Sequence, residues 1–438
     1  MKQIAERIFR ETLAAIDIPA TIDRKLARTR SFIRAGTASI DLREFRTIVA
    51  IAFGKASYAM AQGLAGVLGP EFAPEGILVV PTAPATELPG WRTLIGGHPV
   101  PNQGSFAAGR AILDLLARCD ERTLIFFLIS GGGSALVEQP LDPAVTLDDF
   151  RRLHLSLVTC GASIDEINSI RKHLSATKGG RLSARAPRSM KVTLAISDVP
   201  QGQESALASG PTLPDPTTIR DAERVVQEHK LMEKLPPAIR EAFETHSLDE
   251  TPKVGDEAFV RSHFVLLLGP RELLHAAHHA CEAEGSVCLC DNATDNWPVE
   301  KAVDYLLAQL AAHARANPNR PVAVLCDGEL SSPVTGNGIG GRNSAFVLAC
   351  AEKIAGRKIT ILSAGTDGID GSSSAAGAVA DGQTLRRARE AGLDPGDFLR
   401  RCDSGTFFAR LGDAVVTGPT GNNLRDLRIL LAEPDAWA

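Results

Sequence analysis

The sequence predicts an α/β protein of two domains, each a mainly parallel or mixed sheet covered by helices. Three observations carry this expectation. The 438-residue length exceeds what one ordinary core organises. Short apolar, β-rich runs recur along the chain, and each ends in a loop rich in glycine or acid. Amphipathic helical stretches fill the intervals, an alternation that covers both faces of a sheet.

The elements follow in order. MKQIAERIFRETLAAI, at the N-terminus, has helical periodicity with charges throughout and lacks the apolar core and cleavage site of a signal peptide. TIVAIAF (47–53) runs into Gly54-Lys55-Ala56-Ser57, and GILVV (76–80) into a proline-rich loop. SFAAGRAILDLLARC (105–119) is a helical pattern. TLIFFLI (123–129) runs into Ser130-Gly131-Gly132-Gly133-Ser134, and KVTLAI (191–196) into Ser197-Asp198. Residues 212–262 break the rhythm with proline and charge, which predicts a boundary near 250–262 and domains over 1–255 and 256–438. A second series follows: FVLLLG (264–269), SVCLC (286–290), PVAVLCDGE (321–329), ITILSAGTDG (359–368) and AVVTGP (414–419).

Composition narrows the function. Apolar residues make up 44% and charged residues 23%, as in ordinary globular proteins. A net charge of −5 gives no footprint for nucleic acid, so an anionic ligand needs a local basic site. The longest apolar run, TLIFFLI, is too short to span a bilayer. Eight scattered cysteines without C-x-x-C read as thiols in a reducing compartment, and the expected location is the cytoplasm, as a monomer or homodimer. Cys288 and Cys290 share a face if they lie on a strand, a weak metal signal. His275 and His279 share a helical face, but no nearby acidic partner for His275, His278 and His279 is obvious, which speaks against a metal site.

The loops at strand ends carry the chemistry, because open α/β sheets bind ligands there. SGGGS (130–134) removes side chains so that backbone N–H groups can approach an anion, with a following helix adding its positive end. Lys55 stands where a strand becomes a helix, placed for a phosphate or carboxylate, although no Walker A glycine pattern precedes it. Asp198, Asp327, Glu329, Asp367 and Asp370 stand at other strand ends. Carboxylates beside glycines suit Mg²⁺ and equally suit helix capping. GNGIGGRN (336–343) holds a literal G-x-G-x-x-G. A dinucleotide site needs a strand directly before it and an acid about 20 residues on, and neither is present. The remaining reading is a mobile glycine loop carrying Arg342, whose planar fork suits carboxylate or phosphoryl oxygens, with Asn343 beside it.

Six stretches in this order, LISGGGSAL, INSIRKHLSATKGGRL, SDV…ASGPT, GIGGRN, AGTDGIDG…AAGA and VVTGPTGNNLRDL, together resemble the glycerate 2-kinases that end in a MOFRL domain, some of which carry the label hydroxypyruvate reductase. The resemblance runs from about residue 5 to residue 432. It implies two α/β domains with an active-site cleft between them. It also implies ATP- and Mg²⁺-dependent phosphorylation of D-glycerate to 2-phosphoglycerate. It assigns catalytic roles to Lys55 and Arg342, substrate or phosphate contacts to Ser130, Gly131, Gly132, Gly133, Ser134 and Asn343, and metal contacts to Asp198, Glu329 and Asp367. Three loops depart from the family pattern: Gly202 is followed by Gln203 where Asp is usual, Asn343 by Ser344-Ala345 where Gln-Glu is usual, and Gly371 by Ser372-Ser373-Ser374 where Pro-Thr-Asp is usual. The rival readings are an NAD(P)-dependent hydroxypyruvate reductase and a non-catalytic homologue that binds an acidic metabolite.

Overall fold

The computed structural model describes residues 1–437 apart from 198, 200, 201, 334 and 423. The chain divides into two compact units, one of residues 18–267 and one of 1–17 with 268–438. Both are α/β.

The first unit holds a six-stranded sheet in the order Trp91–Ile95, Glu75–Val80, Thr47–Phe53, Thr123–Ser130, Met190–Ile196, Ser262–Leu268. The pairings from Trp91–Ile95 through Met190–Ile196 are all parallel. Every residue of Thr123–Ser130 is buried, as the unbroken apolar run requires of a strand covered on both faces. Val49, Ile51 and Phe53 share a core with Ile125, Phe127 and Ile129. After Thr47–Phe53 the chain builds outward through two strands. It then returns to place Thr123–Ser130 on the other side, so the order reverses between these two strands. Their carboxyl ends form the topological switch point, where open α/β sheets take ligands.

The second unit holds a mixed sheet in the order Ala414–Val415, Gly377–Asp381, Ile359–Gly365, Asp426–Ala432, Val322–Asp327, Val287–Cys290. Asp426–Ala432 runs antiparallel to both neighbours, pairing Asp426 with Gly365 and Leu427 with Asp327. The carboxyl ends of Ile359–Gly365 and Val322–Asp327 therefore meet the start of Asp426–Ala432.

This division differs from the expected one at 255/256 in two ways. The helix Lys2–Ala15 belongs with residues 268–438, where Ala5, Ile8 and Phe9 form its buried stripe. It packs on the helix Pro270–Ala283, with Lys2 Nζ 2.8 Å from Asp413 and Arg7 Nη1 3.0 Å from Glu284. The strand Ser262–Leu268 opens the second apolar series in the sequence, yet it completes the first sheet. A strand is assigned by the edge it hydrogen-bonds, which composition does not encode. None of the described helices is long and apolar enough to cross a membrane.

Candidate active site

The loops after Thr47–Phe53 and Thr123–Ser130 are fastened together. The Lys55 amide donates to Gly131 O at 3.0 Å, and the Ala56 amide to Ser130 Oγ at 3.0 Å. Gly54 has φ +121°, and a Cβ there would stand 2.3 Å from Ser130 Oγ, so only glycine allows this closure. Ser130 and Gly131 thus position Lys55. Gly132, at φ +82°, keeps the loop open above them, since a Cβ there would lie 3.3 Å from Lys55 Cγ and 3.0 Å from the His98 ring. Gly133 packs against Phe53 and Ala208. The helix expected after the loop is a single turn, Gly133–Leu136, so its dipole contributes little.

Beside this loop lies a cavity of about 160 Å³, lined by Gly132 and Ser134, by Leu153 and Leu157, and by Arg171 and Lys178. Lys178 Nζ donates to Ser134 O at 2.9 Å and to Glu138 Oε2 at 2.6 Å. Burial holds the Lys178 ammonium below its ordinary pKa, against the pull of Glu138. Arg171 Nη2 donates to His154 Nδ1 at 2.9 Å. Burial, and then the Arg171 charge, hold the His154 imidazole below its ordinary value, so it is neutral and can accept. Ser134 Oγ meets Ser209 Oγ at 2.9 Å, and Ser209 donates to Asn168 Oδ1 at 3.1 Å. Ala208 and Ser209 both hold positive φ, local strain where loops crowd the site. Arg171, Lys178, Asn168 and Ser209 escaped residue-level reading; three lie within or just after Ile164–Leu174, and their charges look like an ordinary helix face.

The second unit gathers Arg342, Glu329, Asp367 and Asp426. Arg342 Nη1 lies 2.8 Å from Glu329 Oε2, and Nη2 lies 3.3 Å from Asp426 Oδ1. Burial alone would lower the Arg342 pKa; Asp426 and then Glu329 more than offset this and raise it. A Cβ on Gly365 would lie 3.0 Å from Asp367 Oδ1 and 3.4 Å from Asp426 Oδ1, so these two carboxylates converge. One third of the Arg342 side chain, 34%, remains exposed, while its nitrogens rest on Glu329 and Asp426.

Two expectations need correction here. Arg342 is the first residue of the helix Arg342–Lys353, and the glycines before it pack tightly instead of forming a loose loop. A Cβ on Gly336 would lie 2.3 Å from Arg401 O, and one on Gly338 2.5 Å from Asp403 Cβ. The Ile339 amide donates to Asp403 Oδ1 at 2.9 Å, and the Gly405 amide to Ile339 O at 2.8 Å. Asn343 is turned inward, 1% exposed, with its Oδ1 accepting from Ser363 Oγ at 2.5 Å, so its side chain serves packing. The helix N-terminus is filled by Asp370, which accepts from the amides of Asn343 at 3.0 Å and Ser344 at 2.9 Å. Ser344 Oγ, at one of the departures, donates to the same carboxylate at 2.6 Å. Ser372, at another, accepts from the Gly340 amide at 3.2 Å.

Asp198 lies outside the described residues. Glu329 places one oxygen on Arg342, and Asp367 Oδ1 accepts from the Ile369 amide at 3.1 Å. Among the described residues no three His, Cys, Asp or Glu side chains group as a metal cage. The described carboxylates alone therefore do not form a cage for a resident ion. They do fit Mg²⁺, which keeps one or two carboxylates and takes its other oxygens from phosphates and water. Asp426 was also missed, because it opens DLRILLA, a central strand whose apolar signal Arg428 interrupts. All eight cysteines are free, and His275 and His279 meet each other at 3.1 Å on the surface.

Residues 4–244 match a family profile described as a domain of unknown function, DUF4147, and residues 322–426 match the MOFRL family. A D-glycerate 2-kinase of Thermotoga maritima is 33% identical over 386 residues, 87% of this chain and 90% of that one. An Agrobacterium vitis protein provisionally labelled hydroxypyruvate reductase is 37% identical over 389 residues, 87% of this chain and 98% of the relative. The crystal structure of a glycerate kinase from Thermotoga maritima superposes with a TM-score of 0.83 at 30% identity, covering 98% of this chain and 99% of that one. With the profiles in the expected order and these relatives spanning most of its length, the chain belongs to the glycerate 2-kinase family whose members end in a MOFRL domain.

Proposed function

We propose that the protein transfers the γ-phosphoryl group of ATP to the 2-hydroxyl of D-glycerate, giving 2-phosphoglycerate and ADP, with Mg²⁺. The observation that carries this reading is the Lys55 loop, locked to the SGGGS loop at the switch point of a parallel sheet, in a chain whose relatives are named for this activity.

Phosphoryl transfer requires positioning and charge stabilisation more than covalent help from the protein. The hydroxyl oxygen forms its bond to the γ-phosphorus as the bond to the β-phosphate oxygen breaks, and the hydroxyl proton leaves to a base. Lys55 and Arg342 are assigned to the charge on the phosphoryl group or the substrate carboxylate. The Gly132 and Gly133 backbone is assigned to phosphate or carboxylate oxygens. Mg²⁺ supplies charge neutralisation between phosphate oxygens. Asp367, with Asp198, is assigned to that ion or to proton acceptance. Glu329 holds Arg342 in place.

The test is direct. Purified protein is incubated with D-glycerate, ATP and Mg²⁺, and separately with hydroxypyruvate and NADH. Formation of ADP and 2-phosphoglycerate is expected. Oxidation of NADH by hydroxypyruvate, with no ATP consumed on any hydroxy acid, would establish the reductase instead.

A further inference from the structure

We infer that the 160 Å³ cavity beside the SGGGS loop seats the carboxylate of a small hydroxy acid, and that Arg171 is the residue that takes it. The name of the acid rests on the phosphotransferase reading; the cavity's choice of a small carboxylate does not.

The charges decide first. Two cations, Arg171 and Lys178, and one carboxylate, Glu138, line the cavity. Glu138 is fully engaged, accepting from Lys178 Nζ at 2.6 Å, Ser175 Oγ at 2.5 Å and the Gln139 amide at 2.9 Å. Lys178 is thereby neutralised. Arg171 gives its hydrogen bond to the neutral His154 ring and not to a carboxylate. A guanidinium cannot shed its proton in a protein, and Glu138, which attracts it, is spent on Lys178, so the cavity keeps one positive charge in excess, with no ion pair to Arg171 among the described residues. Partly enclosing such a charge is costly until an anion arrives. The planar fork suits the two oxygens of a carboxylate.

Size decides second. A cavity of ~150 Å³ holds a molecule as large as benzene. A three- or four-carbon acid is of that scale, and an adenine nucleotide is far larger. Leu153 and Leu157 offer an apolar wall to the carbon skeleton. Gly132 also lines the cavity, and a Cβ on it would lie 3.3 Å from Lys55 Cγ, so this wall of the cavity adjoins the Lys55 side chain.

The experiment compares the parent protein with Arg171→Lys and Arg171→Gln. Equilibrium binding of D-glycerate, lactate, inorganic phosphate and ADP is followed by calorimetry, and KM for D-glycerate and ATP by turnover. The expected result is that both variants weaken D-glycerate by roughly 10- to 100-fold, the scale of a lost charge-assisted contact, while KM for ATP stays within about twofold. Lysine should recover part of the loss. Should Arg171→Gln fail to fold, Arg171→Lys decides alone. The inference is overturned if the parent binds no small hydroxy acid with or without ADP, if phosphate or ADP is weakened in place of the acid, or if acid binding stays within twofold. Arg171-dependent acid binding without phosphorylation would sink the kinase reading and keep this inference. Phosphorylation with Arg171 indifferent would do the reverse.

Discussion

The two glycine loops, 130–134 in the first unit and 336–341 in the second, use the same residue for opposite purposes. In the first, positive φ at Gly132 leaves backbone facing a cavity, next to Lys55 and Arg171. In the second, the missing side chains let backbone press against Arg401, Asp403 and Asp370, and the helix that follows already has the Asp370 carboxyl group at its N-terminus. A glycine count does not distinguish an open loop from a shut one. What distinguishes them is the identity of the atom a Cβ would strike: side-chain atoms of His98 and Lys55 at Gly132, backbone and buried carboxylate at Gly336 and Gly341.

Arg342, the reactive residue assigned beside the shut loop, gives the strongest test. Arg342→Ala should lower kcat roughly 10³-fold if the guanidinium meets charge developing on the phosphoryl group, and Arg342→Lys should recover only part of it. Steady-state kinetics with a melting control read this. If kcat stays within about twofold, Arg342 only holds Glu329 and Asp426 together, and the second unit's chemistry must be reassigned.

Asp370 tests whether the second loop is shut by its own carboxyl group. Asp370→Ala removes the acceptor for two helix amides and for Ser344 Oγ in a buried place, and should cost about 2–4 kcal/mol in denaturant unfolding. A loss below about 0.5 kcal/mol would mean water replaces the carboxylate and the loop is not closed in solution.

The chemistry that reads from the sequence is the local kind. A strand followed at once by Gly-Lys or Ser-Gly-Gly-Gly carries its meaning within a few residues, and the structure puts both loops at one switch point. What escaped is non-local. Lys178 meets the loop from 44 residues beyond Ser134. Arg342 meets Asp426 from 84 residues away, through a strand whose buried Asp426 and Arg428 hide its apolar pattern. The N-terminal helix reads plainly as a helix, but its amphipathic stripe does not say which unit it covers.

Matched alanine substitutions set the loops against each other. Gly338→Ala would place a Cβ 2.6 Å from Arg401 O, so the backbone of one segment must move. Gly132→Ala would meet the His98 ring at 3.0 Å and Lys55 Cγ at 3.3 Å, groups that can yield, with about 1–2 kcal/mol for the left-handed backbone. Gly338→Ala should therefore lower the melting temperature more than activity, and Gly132→Ala should lower kcat/KM more than stability. Equal losses of both kinds in both variants would mean that the two loops do not differ in this way.

The smallest effect is a pH slope confined to the shut loop. Burial pushes the Asp370 carboxyl up, and the donors from Ser344 and Asn343 only partly oppose it. The folded protein then binds this proton more tightly than the unfolded chain, whose aspartates titrate near ~3.9. Asp370's contribution is full below that value and is lost as pH rises through the higher folded value. Asp370→Asn keeps a similar shape and has no proton to lose. The stability difference between parent and Asp370→Asn should therefore shift against the parent as pH rises from about 4 into the neutral range. Paired denaturant titrations along that range measure it. A difference that stays level, or moves in the parent's favour, would mean that the helix amides stabilise the ionised carboxylate fully. The closed loop would then be held by an anion with a lowered pKa, as an external phosphate at a helix N-terminus would be.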